Sequence, residues 1–382
     1  MAAVAASDPP NSSLEATLRE SIARLAEAEK MGLQENKNSS IIEAVDQDYI
    51  QGISKPPYAN TALADPFDEK IARKWVDEVI MKFPRGPPAD CHRRPLAKIA
   101  IKNVSITYGS DDATFRVRVY VPAAEDMQSV PSRPALIMYH GGGWIHGYPE
   151  VDEGKAIAIN VDYRLAPEHK FPLPLNDCYQ AVQWTLDHAQ EYGIDTSRIA
   201  IWGCSAGGNL AAAVALRDAE EHKESRIRHV NLVVPATCHP QLYPMALKAD
   251  ESSSNKFGAG LGTAAAAILI GRACRHDDEQ AARLTWPIGK YAGDKSLNPH
   301  VSVLSADIPA NHPPVHITVA GRDFLRDEGI AYSLRIRDAG IDSQLDVVPG
   351  VPHGLLFPPT THVARQFFRN QARILDYALN SL

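Results

Sequence analysis

Short apolar runs alternate with helix-forming segments along most of the chain after residue 96. This alternation predicts an α/β fold, because a helix between two strands lets them pair in parallel within one sheet. The sheet would be mostly parallel, with helices on both faces. The predicted strands are Ala97–Tyr108, Thr114–Val121, Ala135–Tyr139, Ala156–Tyr163, Arg198–Trp202, Val230–Val234, Val315–Ala320 and Gln344–Val348. The predicted helices are Asp177–Tyr192, Asn209–Glu220, Asp327–Ala339 and one that starts near Thr360.

Two parts of the chain depart from this alternation. Residues 1–95 are predicted to be mainly helical, with an apolar stripe from Phe67 to Phe83 that would pack onto a core built elsewhere. Residues 236–295 are rich in Ala and Gly and carry no strand pattern. We interpret them as a lid insertion over the carboxyl ends of the strands, where ligands bind in open α/β sheets. Residues 1–95 would add a helical cap to a catalytic domain at 96–382.

The composition of the chain limits which binding partners and which cellular compartment we expect. At 382 residues the chain can bury a sizeable core, and its net charge of −7 argues against nucleic acid or an anionic membrane as the main partner. No apolar run is long enough to span a bilayer, and the first residues lack the basic start of a secretory signal. Five cysteines without metal-type spacing indicate buried free thiols. We therefore expect a cytoplasmic protein without a bound metal.

The sequence Gly-Cys-Ser-Ala-Gly at 203–207 stands between a predicted strand and a predicted helix. In this context a serine occupies a sharp, strained turn that exposes its hydroxyl, and its neighbours must be small because the turn is tight. Ser205 is therefore the candidate nucleophile. The N–H of Ala206 would point at the reacting centre. The alternative interpretation is that the serine only caps the following helix.

A serine hydroxyl needs a base to act as a nucleophile at neutral pH, and the base needs a third group to orient it. His353 lies in a Gly/Pro loop after the last predicted strand, and Asp323 follows the strand before that one. We assign His353 as general base and then acid, and Asp323 as the group that fixes the imidazole tautomer. Asp327 competes with Asp323, but we expect it to cap the helix that it begins. A plain surface role is the alternative for His353.

The sequence His-Gly-Gly-Gly-Trp at 140–144 directly follows a predicted strand. Acyl hydrolysis needs hydrogen-bond donors aimed at the developing oxyanion. Consecutive glycines let backbone N–H groups approach a substrate without obstruction by side chains. We assign the N–H groups of Gly142, Gly143 and Ala206 as these donors, and a flexible glycine loop is the alternative.

These segments together resemble the hormone-sensitive-lipase-like family of α/β-hydrolases, from roughly Ala97 onward. The matching motifs, in family order, are His140–Trp144, Val161–Glu168, Gly203–Gly208, Asp323–Glu328 and Pro352–Gly354. The resemblance implies an eight-stranded, mostly parallel sheet with a helical cap built partly from the N-terminus. It also implies cofactor-free hydrolysis of small-molecule carboxylic esters, with short- to medium-chain or metabolite acyl groups, through an acyl-enzyme. We interpret the charged residues of Asp162–Glu168 as structural, paired under the floor of the site.

Two features depart from the family pattern. Cys204 stands before the serine, where relatives commonly carry an acidic residue or Thr, and it should point away from the substrate. Only residues 140–155 separate the third and fourth strands, so the helix between them is predicted to be shortened or missing. The fold would compensate by recruiting the N-terminal helices or another chain, as in a homodimer. An incorrectly joined gene model would give the same pattern.

Three functions stay open at this point. A serine ester hydrolase is favoured by the complete set of catalytic side chains. A catalytically weak or inactive ligand-binding protein on the same fold is the main alternative, and the shortened crossover argues weakly for it. An acyltransferase or lyase acting on a metabolite is the third. His146 and Tyr148 would either line the pocket or lie on the loop surface.

Overall fold

The computed structural model describes most of the chain after residue 98. The described residues are 99–109, 113–122, 132–143, 156–239, 288–321, 323, 325–351, 353 and 361–380. The predicted helical region at 1–95, most of the predicted insertion at 236–295, and residues 144–155 of the crossover, including His146 and Tyr148, lie outside them. The shortened or missing crossover helix therefore stays a prediction.

In the described part of the chain, eight strands form one sheet. They are β1 (Ile99–Tyr108), β2 (Ala113–Pro122), β3 (Arg133–Tyr139), β4 (Ile157–Asp162), β5 (Ile194–Cys204), β6 (His229–Val233), β7 (Val315–Ala320) and β8 (Ser343–Val348). Their order across the sheet is β1-β2-β4-β3-β5-β6-β7-β8. The β1–β2 and β2–β4 pairs are antiparallel and the others are parallel. The predicted eight-stranded, mostly parallel sheet is confirmed.

Helices cover both faces of this sheet. They are α1 (Leu173–Asp187), α2 (Ala189–Tyr192), α3 (Ala206–Glu221), α4 (Arg326–Asp338) and α5 (His362–Asn380), with a 3₁₀ turn at Val303–Ser305. In β5, Ile199 and Ile201 face the core shared with α1, α3 and α4, whereas Ala200 and Trp202 face the core shared with α5. This alternation follows from the two-residue period of a strand. Among these described helices, none combines the length and the apolar composition needed to cross a membrane.

Two elements begin four residues earlier than the sequence predicts. Helix α1 begins at Leu173, ahead of the predicted start at Asp177. Pro172 and Pro174 stand at its N-cap and in its first turn, where the missing N–H of proline removes no helical hydrogen bond. These prolines suggest a loop in the sequence, although they are compatible with a helix start. Strand β5 begins at Ile194, which pairs with β3 beyond a register shift.

A buried ion pair joins the segment after β4 to α1. Asp177 is fully buried, and its carboxylate accepts hydrogen bonds from Arg164 Nη2 at 2.7 Å and from the Tyr108 hydroxyl at 2.5 Å. Asp162 instead accepts from Arg116 Nη2 of β2 at 2.7 Å. The charged side chains of Asp162 and Arg164 are thus both paired, as a structural role requires. Their partners, Arg116 and Asp177, lie outside the Asp162–Glu168 motif.

A buried glutamine fastens α5 to the sheet. The side-chain amide of Gln371 accepts hydrogen bonds from Trp202 Nε1 at 3.2 Å and Asn231 Nδ2 at 2.9 Å, and it donates to Thr318 Oγ1 at 3.2 Å. The three partners lie on the adjacent strands β5, β6 and β7. Because buried polar groups are stable only when paired, these bonds favour one docking position of α5.

Candidate active site

Ser205 lies on the tight turn between β5 and α3. Its backbone has φ 55° and ψ −116°, and a non-glycine residue held in such a conformation costs about 1–3 kcal/mol. The neighbouring glycines make the turn possible. A Cβ on Gly203 would overlap the carbonyl oxygen of Gly207, and a Cβ on Gly207 would overlap that of Tyr139. The predicted strand, turn and helix are therefore present, with the serine at the apex.

Main-chain hydrogen bonds hold Ser205 in this conformation. Its N–H donates to the carbonyl group of Val233 at the end of β6, at 2.8 Å. Its own carbonyl group accepts from the N–H groups of Asn209, at 3.0 Å, and Ala236, at 3.3 Å. Two of these three bonds involve β6 or the residues after it. The main chain of the candidate nucleophile therefore depends on a separate part of the chain.

The structure places His353 within hydrogen-bonding distance of both Ser205 and Asp323. Ser205 Oγ lies 2.8 Å from His353 Nε2, and His353 Nδ1 lies 2.8 Å from Asp323 Oδ2. The three residues follow β5, β8 and β7, respectively. These strands are parallel, so their carboxyl ends lie at the same edge of the sheet.

Burial and hydrogen bonding set the roles of the two ring nitrogens of His353. Asp323 is only 1% exposed, and its second carboxyl oxygen accepts the N–H of Leu325 at 2.9 Å. The tautomer that fits both contacts carries its proton on Nδ1, because a carboxylate oxygen opposite an imidazole N–H accepts the hydrogen bond. Nε2 is then the acceptor for the hydroxyl of Ser205. A neutral imidazole in this tautomer can take the proton of the serine.

Asp327, the competing carboxylate, makes a different contact. Its Oδ1 accepts a hydrogen bond from Arg326 Nε at 2.7 Å. The prediction that Asp327 caps the helix is wrong, because α4 begins at Arg326 and Leu325 is the N-cap. Asp327 therefore lies inside the first turn, where an acidic side chain interacts favourably with the helix dipole.

The glycine loop after β3 is held by His140 and Tyr163. The two rings stack with centroids 4.1 Å apart, and the Tyr163 hydroxyl donates to the His140 carbonyl group at 2.7 Å. Burial lowers the pKa of His140 to about 4. The ring is thus neutral near pH 7, and its Nδ1 lies 2.8 Å from the carbonyl oxygen of Gly141. Gly142 and Gly143 have φ values of 125° and 62°, which L side chains rarely adopt.

The glycine loop lies directly against the turn that carries the serine. A Cβ on Gly141 would stand 3.5 Å from the Cβ of Ser205. Gly207 packs its Cα against the carbonyl groups at the end of β3. Ala206 is buried at the first position of α3, where backbone N–H groups have no partner within the helix. The N–H groups assigned as oxyanion donors therefore belong to two segments in contact.

Cys204 precedes the serine, and its side chain lies on the face of the sheet that α5 covers. Its side chain contacts the core that is shared with α5. Burial, together with the charge of Asp323, raises the pKa of the Cys204 thiol to about 12. The group is therefore a neutral, unreactive thiol near pH 7. This packing agrees with the expectation that the side chain points away from a substrate.

Comparisons with known proteins identify the family. A family model described as the alpha/beta hydrolase fold matches residues 136–357, which is more than half of the chain. The chain belongs to the α/β-hydrolase family, in the hormone-sensitive-lipase-like branch that its motifs indicate.

Two similar relatives are named esterases. Esterase LipI of Mycobacterium tuberculosis is 30% identical over 319 residues, which cover 78% of this chain and 91% of LipI. Versiconal hemiacetal acetate esterase of Dothistroma septosporum is 27% identical over 304 residues, which cover 76% of this chain and 85% of that protein. Among solved structures, a bacterial heroin esterase superimposes with a TM-score of 0.69 at 24% identity, covering 90% of this chain and 100% of its own. This last similarity shows the fold alone.

Proposed function

We propose that this protein hydrolyses carboxylic esters, with Ser205 as nucleophile, His353 as general base and acid, and Asp323 as the group that orients the imidazole. The observation that carries the proposal is the hydrogen-bonded series from Ser205 Oγ through His353 to Asp323 Oδ2, with both distances at 2.8 Å. The series lies at the carboxyl edge of an α/β-hydrolase sheet. Relatives named as esterases support the ester as the reacting group.

The reaction then proceeds in two halves. Ser205 Oγ attacks the ester carbonyl carbon while its proton passes to His353 Nε2. The tetrahedral intermediate breaks its carbon–oxygen bond to the alcohol, which leaves with that proton, and an acyl-enzyme remains. Water attacks the acyl-enzyme while the same imidazole takes a proton from it. Collapse of the second intermediate returns the proton to Ser205 and releases the carboxylic acid.

Each tetrahedral intermediate carries a negative charge on the former carbonyl oxygen. The backbone N–H groups of Gly142, Gly143 and Ala206 would donate to this oxygen. Removal of one such donor typically lowers kcat by about 100- to 1,000-fold. The stacking of His140 on Tyr163 supports this role, because donors stabilise a transition state best when they are held in place before the reaction.

The substrates that we propose are small-molecule esters with short- to medium-chain acyl groups, or metabolite esters. The acetate in the name of the Dothistroma septosporum relative supports a small acyl group. A cap from residues 1–95 and a lid from 236–295 would cover the site and select the alcohol part. Cys178, Cys204 and Cys238 are free thiols, which supports a reducing compartment, the cytoplasm. A homodimer would cover the sheet beside the short crossover.

Turnover of p-nitrophenyl acetate and butyrate, with labelling by a fluorophosphonate probe for activated serines, tests the chemistry. Ser205→Ala should abolish labelling and lower kcat by about 10⁶-fold. Asp323→Asn should lower kcat by about 10⁴-fold, because the imidazole then takes the wrong tautomer. Asp327→Asn is the matched control, since this carboxylate lies on the same segment but contacts Arg326. It should keep the activity of the parent protein.

The other candidate functions predict different results in the same assays. A folded wild-type protein that neither labels nor turns over either ester would contradict the proposal and favour ligand binding. Acyl transfer to an added alcohol, without release of the free acid, would favour an acyltransferase. Circular dichroism of each variant separates loss of chemistry from loss of fold.

A further inference from the structure

The proposed mechanism leaves one buried acid of the site region without a role. Glu328 lies in the first turn of α4, in the same motif as Asp323, and is 1% exposed. Its Oε1 accepts hydrogen bonds from the backbone N–H groups of Thr237, at 2.5 Å, and Cys238, at 3.2 Å. Among the described residues, no group donates to or accepts from its buried Oε2. A carboxyl group buried in this way is costly, so its position in the structure calls for a reason.

The partners of Glu328 lie in the post-β6 segment, which we define as Val233, the last residue of β6, together with residues 234–238. Thr237 is held from several sides. Besides its N–H bond to the carboxyl group, its Oγ1 donates to the backbone carbonyl of Glu328 at 3.0 Å. Its own carbonyl group accepts the N–H of Leu304 at 2.9 Å. Helix α4 therefore fixes the far end of the post-β6 segment through both the side chain and the main chain of one residue.

The near end of the post-β6 segment holds the main chain of Ser205. The Val233 carbonyl group accepts the N–H of Ser205, and Ala236 N–H donates to the Ser205 carbonyl group. Between these two contacts, Val234 has φ 42°, a conformation that is rare for a β-branched residue. Strained backbone persists only where surrounding contacts fix it. Pro235 adds one such contact by packing on Gly208 of α3.

We propose that Glu328 is a positioning residue that keeps the main chain of Ser205 in its reactive conformation by anchoring the strained post-β6 segment to α4. The inference rests on the proposed function, since it assumes that Ser205 is the nucleophile. Glu328 does not touch the reacting atoms. It couples the loop that carries the acid to the turn that carries the nucleophile, through the hydrogen bonds of Thr237 and Ala236.

The protonation state of Glu328 decides whether its side chain acts through a negative charge or only through its hydrogen bonds. Burial raises the pKa of Glu328 to about 8, which favours the neutral carboxylic acid in the folded protein at pH 7. The side chain then contributes one acceptor oxygen to the post-β6 segment, at a distance from α4 that the length of the side chain fixes. Glutamine supplies the same oxygen at the same reach without charge. Aspartate keeps the carboxyl group, but its side chain is one methylene shorter.

Kinetics of Glu328→Gln, Glu328→Asp and Glu328→Ala at pH 7 test the proposal. The readouts are kcat per site titrated by the fluorophosphonate, KM for p-nitrophenyl butyrate, and the melting temperature. We expect Glu328→Gln to keep the kcat of the parent protein. Glu328→Asp and Glu328→Ala should lose about 10- to 100-fold in kcat, because small displacements of reacting groups have effects of that size. KM should change little in all three variants.

Asp218→Ala is the matched control for a purely structural buried carboxylate. Asp218 is fully buried and accepts bonds from Arg226 N–H, at 3.1 Å, and Nη2, at 2.6 Å. It lies in α3 about 18 Å along the helix axis from its first residue, at 1.5 Å per residue. Its loss should lower the melting temperature and leave kcat per titrated site unchanged.

Several outcomes would overturn the positioning role. One is a Glu328→Ala protein that melts earlier but keeps its kcat per titrated site, as expected of the Asp218 control. Another is a Glu328→Gln protein as impaired as Glu328→Ala, since a missing charge would then be the cause. If Glu328→Ala does not fold, equal kcat in Glu328→Gln and Glu328→Asp refutes the proposal. A wild-type protein without labelling or turnover would defeat the proposed function as well, which distinguishes the two failures.

Discussion

Replacing Ser205 with glycine is expected to abolish activity and yet stabilise the fold relative to Ser205→Ala. Both variants lack the hydrogen bond to His353, so their difference isolates the backbone. The φ of 55° at this position costs a residue with a Cβ about 1–3 kcal/mol. Glycine avoids that cost but loses about 0.5–1 kcal/mol more conformational entropy on folding than alanine. The free energy of unfolding of Ser205→Gly should thus exceed that of Ser205→Ala by about 1 kcal/mol, within limits of roughly 0 to 2.5 kcal/mol.

Urea unfolding followed by circular dichroism measures this difference, provided that the two variants share one m-value. The matched pair is Ser105→Gly and Ser105→Ala, at an exposed position of β1 where φ is not positive. There, glycine should be the less stable of the two by about 0.5–1 kcal/mol. If glycine at position 205 is less stable than alanine by a similar amount, the argument for strain at the nucleophile is refuted.

Three further results are expected. Gly207→Ala should abolish fluorophosphonate labelling, because the new Cβ would overlap the carbonyl oxygen of Tyr139; labelling at the parental rate would contradict this. Asp177→Ala leaves the Arg164 guanidinium without its carboxylate and should lower the free energy of urea unfolding by about 3 kcal/mol; an unchanged midpoint would show that the pair is dispensable. Burial lowers the pKa of His312 to about 4, so between pH 6.5 and 4 the unfolded chain binds a proton that the folded protein does not. Stability therefore falls as the pH falls through this window, and His312→Gln should lose about 2 kcal/mol less than the parent between pH 7 and 5, as urea midpoints at both pH values would show.

Features that depend on sequence neighbours were predictable. The predicted strand Val315–Ala320 coincides with β7, because a short apolar run between turn residues is a local signal. The small residues around Ser205 likewise identified the tight turn, since a Cβ on Gly203 or Gly207 has no room there. The sequence also selected Asp323 over its neighbour as the partner of the imidazole, and the structure brings that carboxylate within 2.8 Å of the ring.

Contacts between distant segments were not predictable from local patterns. The position of β4 between β2 and β3 depends on how whole elements pack. The partner of Arg164 was missed, because Asp177 stood at the predicted start of a helix, where an acidic residue is ordinary, and its burial comes only from tertiary packing. Glu328 belongs to the Asp323–Glu328 motif, but no role for it could be inferred from the sequence. Glu328 and its partner Thr237 are 91 positions apart in the sequence, and no periodic sequence pattern indicates a contact over such a separation.

The single amide of Gln371 that joins three strands has a consequence for protein synthesis. Residues 362–380 leave the ribosome after all eight described strands. Trp202, Asn231 and Thr318 are therefore synthesised before Gln371, the residue to which all three form hydrogen bonds. During that interval one face of β5, β6 and β7 lacks the helix that seals it. The core between these strands and α5 therefore forms only after residues 362–380 are made, and this open face is the surface that a ribosome-associated chaperone would have to shield until then.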